Sequence, residues 1–81
     1  MHMAQPSVTI YSTPTCHFCH MAKDFFTDNH IQFTDHNVAT DLPKRQEMVQ
    51  KSGQMGVPVI DIGGQLVVGF DEPKLRELLS L

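Results

Sequence analysis

Tryptophan is absent from this 81-residue chain, tyrosine occurs once and cysteine only twice. No stretch approaches the roughly 18 consecutive apolar residues of a membrane span. Two cysteines are too few for the disulfide framework of a small secreted domain, so they point instead to redox chemistry or metal binding in a reducing compartment. Basic residues are also scarce. The six lysines and arginines, Lys23, Lys44, Arg45, Lys51, Lys74 and Arg76, are scattered against nine acidic residues for a net charge of −3. That leaves no basic stripe for nucleic acid. Residues 1–6 lack a basic region followed by an apolar run, so no secretory leader is visible and a cytoplasmic chain is expected. They read as a tail or an artificial extension, with one domain over residues 7–81; this length suffices for one core and not for two.

What the chain does have is concentrated in residues 15–20, Thr-Cys-His-Phe-Cys-His. The pair sits after an apolar run and before a helical pattern. Two thiols at i and i+3 on a first helical turn share a face, close enough for a small disulfide ring or for one soft metal ion. The spacing alone leaves both open. A thiolate is favoured at a helix start, where unpaired N–H groups and the positive end of the macrodipole stabilise an anion. Cysteines so placed have pKa values lowered to about 3.5–7.5. Cys16 lies nearer the start and nearer solvent, so it is assigned as the attacking thiolate and Cys19 as the resolving thiol. His17 and His20, when protonated, would favour the charged sulfur further; otherwise they are solvated surface residues.

Residues 7–12, SVTIYS, read as a first strand with Val8 and Ile10 on one face and Thr9 and Tyr11 on the other. Thr13-Pro14 breaks it, and Thr15 is the expected cap of a helix whose Cys19, Ala22, Phe25 and Phe26 recur at helical spacing. That helix should end near Asn29 in a left-handed conformation. A half-buried strand follows over residues 31–38. Thr40 or Asp41 caps a second helix, which tolerates Pro43 in its first turn and presents Leu42, Met48 and Val49 as an apolar face until Gly53 ends it. Gly63-Gly64 between two β-branched runs predicts a hairpin. Asp71 then caps a last helix that turns Leu75, Leu78 and Leu79 inward. The order is β-α-β-α-β-β-α, an α/β domain with a four-stranded mixed sheet flanked by helices.

Taken together, Pro14-Thr15-Cys16-x-Phe18-Cys19 after a strand, Gly56-Val57-Pro58 before the third strand, Gly63-Gly64 and Gly69-Phe70-Asp71 resemble the glutaredoxins, within the thioredoxin-like fold. The resemblance covers nearly all of the chain after Ser7. It implies a cis peptide bond at Pro58, and exposed backbone N–H and C=O groups on Val57 with which an extended substrate pairs like an added strand. It also implies that Phe70 and Asp71, at the start of the last helix, receive the γ-glutamyl carboxylate of glutathione through backbone N–H groups, with Gly69 beside them among the substrate-binding residues. Phe18 and Pro58 would form an apolar lip at the sulfur. Three features depart from the pattern. Thr13 stands where many glutaredoxins have a lysine that contacts glutathione. His17 replaces the usual proline between the cysteines. Residues 69–73 look more like the glutaredoxin-like redoxins that feed ribonucleotide reductase and draw electrons from thioredoxin reductase.

The expected activity is thiol–disulfide exchange on protein disulfides or glutathione mixed disulfides, by a monomer with no bound cofactor, glutathione serving as a cosubstrate. Candidate partners are the disulfide protein or glutathione, with thioredoxin reductase or ribonucleotide reductase behind them; nucleic acid and membrane are not expected. Two rivals share the motif. Cys16-His17-Phe18-Cys19-His20 matches the CxxCH haem-attachment pattern, although four strand-like runs argue against a helical haem shell. Two chains could also share an iron–sulfur cluster through their cysteines, while a closed zinc site is disfavoured because Cys16, His17, Cys19 and His20 lie too close in sequence to surround one ion.

Overall fold

The computed structural model describes residues 6–81; residues 1–5, most of the expected tail, lie outside the described part. Seven elements follow in the expected order: β1 (Val8–Ser12), α1 (His17–Asp28), β2 (Thr34–Asn37), α2 (Leu42–Ser52), β3 (Val59–Ile62), β4 (Gln65–Val68) and α3 (Glu72–Leu79). The sheet runs β2-β1-β3-β4. β1 is parallel to β2 and antiparallel to β3, so that Ile10 lies between Asp35 and Ile60. β3 and β4 form the antiparallel hairpin. Its two glycines adopt φ of 59° and 94°, the positive values that the two central positions of such a turn demand.

Because β1 is buried on both faces, its alternation separates two cores. Val8 and Ile10 join Ala22, Phe25 and Phe26 of α1, Ile60 and Ile62 of β3, and Leu75 and Leu79 of α3. On the other face Tyr11 and Val59 meet Met48 of α2, together with Val38. Helices therefore cover both sides of the sheet, as the element order implies.

Three local expectations are corrected. α1 does end at Asn29, but Asn29 has φ −98° and the left-handed residue is His30, with φ 58°. His30 N–H bonds to Thr27 O and Ile31 N–H to Phe26 O, the paired closure of a Schellman motif. That closure occupies the chain just after the helix, so β2 starts at Thr34 rather than at Ile31. Ile31 and Phe33 still pack against the α1 core from outside the strand. In α2, Asp41 is the cap, accepting from Lys44 N–H at 3.1 Å. Leu42 is 61% exposed rather than part of a buried face. Val49 does pack, half-buried, against the Tyr11 and Met48 cluster, while Leu42, seven residues earlier, only lines a shallow groove with Val49 and Met55.

Candidate active site

The site is assembled from the β1–α1 loop, the first turn of α1, the segment before β3 and the turn before α3. Cys16 itself, not Thr15, is the cap of α1. Its backbone is extended (φ −84°, ψ 115°), and its Sγ accepts the Cys19 N–H at 3.2 Å. Cys16 N–H returns to Thr13 O at 3.3 Å, and Cys16 O accepts the His20 N–H at 3.2 Å. A sulfur thus takes the place usually held by a hydroxyl or carboxylate oxygen, receiving an otherwise unpaired N–H at the positive end of the helix. An anionic sulfur makes the stronger, charge-assisted version of that bond.

The two cysteines, both free thiols, differ sharply in surroundings. Cys16 is partly exposed, whereas Cys19 is fully buried. Burial, together with the neighbouring Cys16 side chain, pushes the Cys19 thiol up to about 12, against weaker opposing influences from the Thr13 backbone and the Lys23 charge. Desolvation penalises a thiolate there.

Val57–Pro58 is cis, and Val57 O lies 3.8 Å from Cys16 Sγ, within reach of a weak S–H donor. Pro58 is fully buried and Val57 half-buried. Gly69, with φ 84°, donates its N–H to Pro58 O at 2.8 Å, so the turn before α3 is tied to the segment that touches the sulfur. Asp71 caps α3 by accepting from Lys74 N–H at 3.3 Å. Cys16, Cys19, Val57, Pro58 and Gly69 are therefore linked by one continuous set of contacts. Phe70 is turned into the α1 core, its ring edge-on to Phe25 with centroids 6.1 Å apart. Phe18 is 56% exposed beside the cysteines, with the His17 ring edge-on to it. His20 points to the loop, where its Nε2 pairs with Pro14 O at 2.8 Å.

Two features escaped the sequence reading. Lys23, one turn after Cys19, is paired with Asp35 of β2 at 2.8 Å, and Asp35 accepts from the fully buried Ser12 hydroxyl at 2.6 Å. Gln54 folds its amide onto the backbone of Gly56, next to Val57. The i, i+4 spacing of Cys19 and Lys23 was readable; the link to Asp35 depends on strand register. Among the described residues no group of three or more His, Cys, Asp or Glu side chains is gathered as a metal site. No helix among them is long and apolar enough to cross a membrane.

The glutaredoxin family profile matches residues 8–67, spanning the cysteines, Val57–Pro58 and the hairpin. The chain belongs to the glutaredoxin family. It is 44% identical over 73 residues to a glutaredoxin-like 8.6 kDa protein of Clostridium pasteurianum named for its rubredoxin operon, covering 90% of this chain and 97% of that one. Glutaredoxin 3 of Escherichia coli is 35% identical over 66 residues, 82% of this chain and 80% of its own. The crystal structure of an Archaeoglobus fulgidus glutaredoxin superposes with a TM-score of 0.82 at 26% identity, covering 90% and 85% of the two chains. The architecture is thioredoxin-like, and family and fold together support a thiol–disulfide redox role for this glutaredoxin.

Proposed function

We propose that the chain reduces protein disulfides or glutathione mixed disulfides, with Cys16 as nucleophile and Cys19 as resolving thiol. The observation that supports this most directly is the asymmetry of the pair: a partly exposed sulfur capping α1, and a fully buried one a turn behind it. In the first step the Cys16 thiolate attacks one sulfur of the substrate disulfide, forming a mixed disulfide and expelling the other sulfur as a thiolate. Cys19 then loses its proton and attacks Cys16 Sγ, releasing the second substrate thiolate and closing the Cys16–Cys19 disulfide. Two electrons pass from the dithiol to the substrate, whose two thiolates take up the two protons lost.

The timing of the second step follows from the surroundings of Cys19. While Cys16 carries a free sulfur, burial and Cys16 both hold Cys19 protonated. Once Cys16 is tied up in a mixed disulfide, its contribution is lost and burial alone opposes ionisation of Cys19, with the Thr13 backbone and the Lys23 charge working the other way. Val57 serves as the edge for substrate backbone, with Phe18 as the apolar lip. Phe70 and Asp71, at the start of α3, receive the carboxylate end of glutathione, with Gly69 holding that turn to Pro58; His17 and His20 lie on the first turn of α1 beside the cysteines. The setting is the cytoplasm, where a dithiol stays reduced.

The test pairs two variants. Cys16→Ser should abolish reduction of both substrate kinds. Cys19→Ser should keep exchange with a glutathione mixed disulfide, while trapping a protein disulfide as a covalent adduct visible by mass. A Cys16→Ser variant with parental activity would remove Cys16 from the role. Parallel reduction of the oxidised protein by glutathione with glutathione reductase, and by thioredoxin reductase with NADPH, identifies the electron donor.

A further inference from the structure

Residues 53–56 separate the end of α2 from Val57, and one of them, Gln54, holds this stretch in an unusual way. The Gln54 side chain accepts the Gly56 N–H through Oε1 at 2.5 Å and donates through Nε2 to Gly56 O at 3.0 Å. A side-chain amide pairs here with both polar groups of one backbone residue, as a neighbouring strand would. Gln54 is anchored in turn, its N–H bonded to Ser52 Oγ at 3.3 Å, and Ser52 Oγ lies 2.7 Å from Met48 O in the last turn of α2. The glycine at 56 is part of the device. A Cβ there would stand 2.7 Å from Gln54 Oε1, and among the described residues no other side chain comes as close. Gly56 does not have positive φ, so what its lack of a side chain secures is the approach of the Gln54 amide.

Gly56 directly precedes Val57, whose O lies 3.8 Å from Cys16 Sγ. With both polar groups of Gly56 taken up by the Gln54 amide, the backbone leading into Val57 is fixed at that point. We infer that Gln54 is a positioning residue that holds the 56–57 segment in place, so that peptide substrates, rather than disulfides in general, find a preformed edge beside the attacking sulfur. This rests on the proposed reading of Val57 as the edge with which substrate backbone pairs. Gln54 touches neither sulfur nor substrate. Its effect lies in how well a peptide is held, and the intrinsic exchange at Cys16 does not depend on it.

The experiment is single-turnover reduction by prereduced protein, with half-saturation concentration and limiting rate separated, on two probes. One is a disulfide-linked dimer of a short cysteine peptide. The other is hydroxyethyl disulfide, which has no peptide group to pair with Val57. Gln54→Ala is expected to raise half-saturation for the peptide about three- to tenfold, the scale of one net hydrogen bond, with the limiting rate kept. Hydroxyethyl disulfide should react as with the parent. Gly56→Ala displaces the flexible amide and should give the same loss, and the double variant no more than either alone, because one contact is removed in all three. Gln54→Glu keeps the shape and the acceptor but loses the donor, and should fall between. Independently of substrate, exchange of the Gly56 amide hydrogen should speed up in Gln54→Ala.

Parental half-saturation for the peptide in Gln54→Ala, equal losses on both probes, or losses that multiply in the double variant would each overturn the inference. A parent that favours the peptide no more than hydroxyethyl disulfide would instead show that Val57 is not a substrate edge, and the inference would fall with that reading.

Discussion

The two faces of the sheet are held to their helices by different means. On the α1/α3 face, ten buried apolar residues form one cluster, and the polar clasp of Ser12, Asp35 and Lys23 is an addition at its edge. On the α2 face the buried cluster is Tyr11, Val38, Met48 and Val59, and much of the fastening is polar. Tyr11 Oη donates to Glu47 Oε2, Lys51 Nζ donates to Tyr11 Oη at 3.1 Å, and Lys51 reaches Asp61 Oδ2 of β3 at 3.1 Å. Lys51 also lies over the Tyr11 ring. The difference matches what each side carries. The helix bearing both cysteines needs its first turn held still, and apolar packing does that at any pH. The α2 side bears Gln54 and the segment leading to Val57, and its position depends on charges and hydrogen bonds.

Truncating each core tests this contrast most strongly. Phe26→Ala, in the larger cluster, should cost about 3–5 kcal/mol and lower the thermal midpoint most of all the variants considered. Met48→Ala should cost about 2–3 kcal/mol, since a cluster of four collapses more readily around a void. Chemical denaturation of the reduced proteins reads both, and equal losses would erase the distinction between the faces. Next in size is Tyr11→Phe, which keeps the ring in the core but removes the hydroxyl that joins Glu47 to Lys51. It should cost about 1 kcal/mol, the net worth of a hydrogen bond. Cys16 alkylation should be unchanged in this variant, because α1 is fastened on the other side. An alkylation rate that moved with Tyr11 would show the two faces to be coupled.

The same contrast explains what could be read from the sequence. The apolar face was legible because its information is periodic: Val8 and Ile10 alternate, while Cys19, Ala22, Phe25 and Phe26 recur at helical spacing. So were the points where one residue type settles the backbone, such as Gly63-Gly64 in the hairpin and Asp41 or Asp71 ahead of a first-turn proline. The cysteine pair stood out by its spacing, which left redox and metal chemistry both open. Its details did not. Thr15 is the more usual cap by residue type, and only the geometry assigns the cap to Cys16. Ser12 and Asp35 meet because β1 and β2 are in a particular register, and Gln54 meets Gly56 because the chain turns back on itself. Such contacts are set by tertiary placement, about which polar residues in a loop carry no periodic signal.

Smallest in energy, and sharpest as a measure of the α2 face, is the titration of Tyr11. It is the only tyrosine, and with no tryptophan present its ionisation is read directly by tyrosinate absorbance. Burial, then the bond to Glu47, push its hydroxyl above the ordinary tyrosine value, while Lys51 works the other way. Lys51 is itself held protonated to higher pH, by its hydrogen bonds to Tyr11 and then Asp61. Both groups have raised folded values, so their contribution to stability is complete below the unfolded values near 10 and is lost as pH rises through the folded ones. On the acid side the faces behave alike. Glu47 is held low by Tyr11 and then Lys44. For Asp35 burial pushes upward, but bonds from Lys23 and Ser12 and the nearby positive charge outweigh it. These two carboxylates contribute above the ordinary carboxylate range and lose that contribution as pH falls through their lowered values. Alkali should therefore loosen α2 through Tyr11 and Lys51, and near the raised value of the buried Cys19 thiol, about 12, it should reach α1 as well; acid should act on both sides. Lys51→Met, by removing the opposing cation, should move the Tyr11 titration further up, and Glu47→Gln should move it down. Shifts of the same sign in the two variants would mean that α2 had already come away from the sheet, leaving Tyr11 to titrate as an exposed phenol.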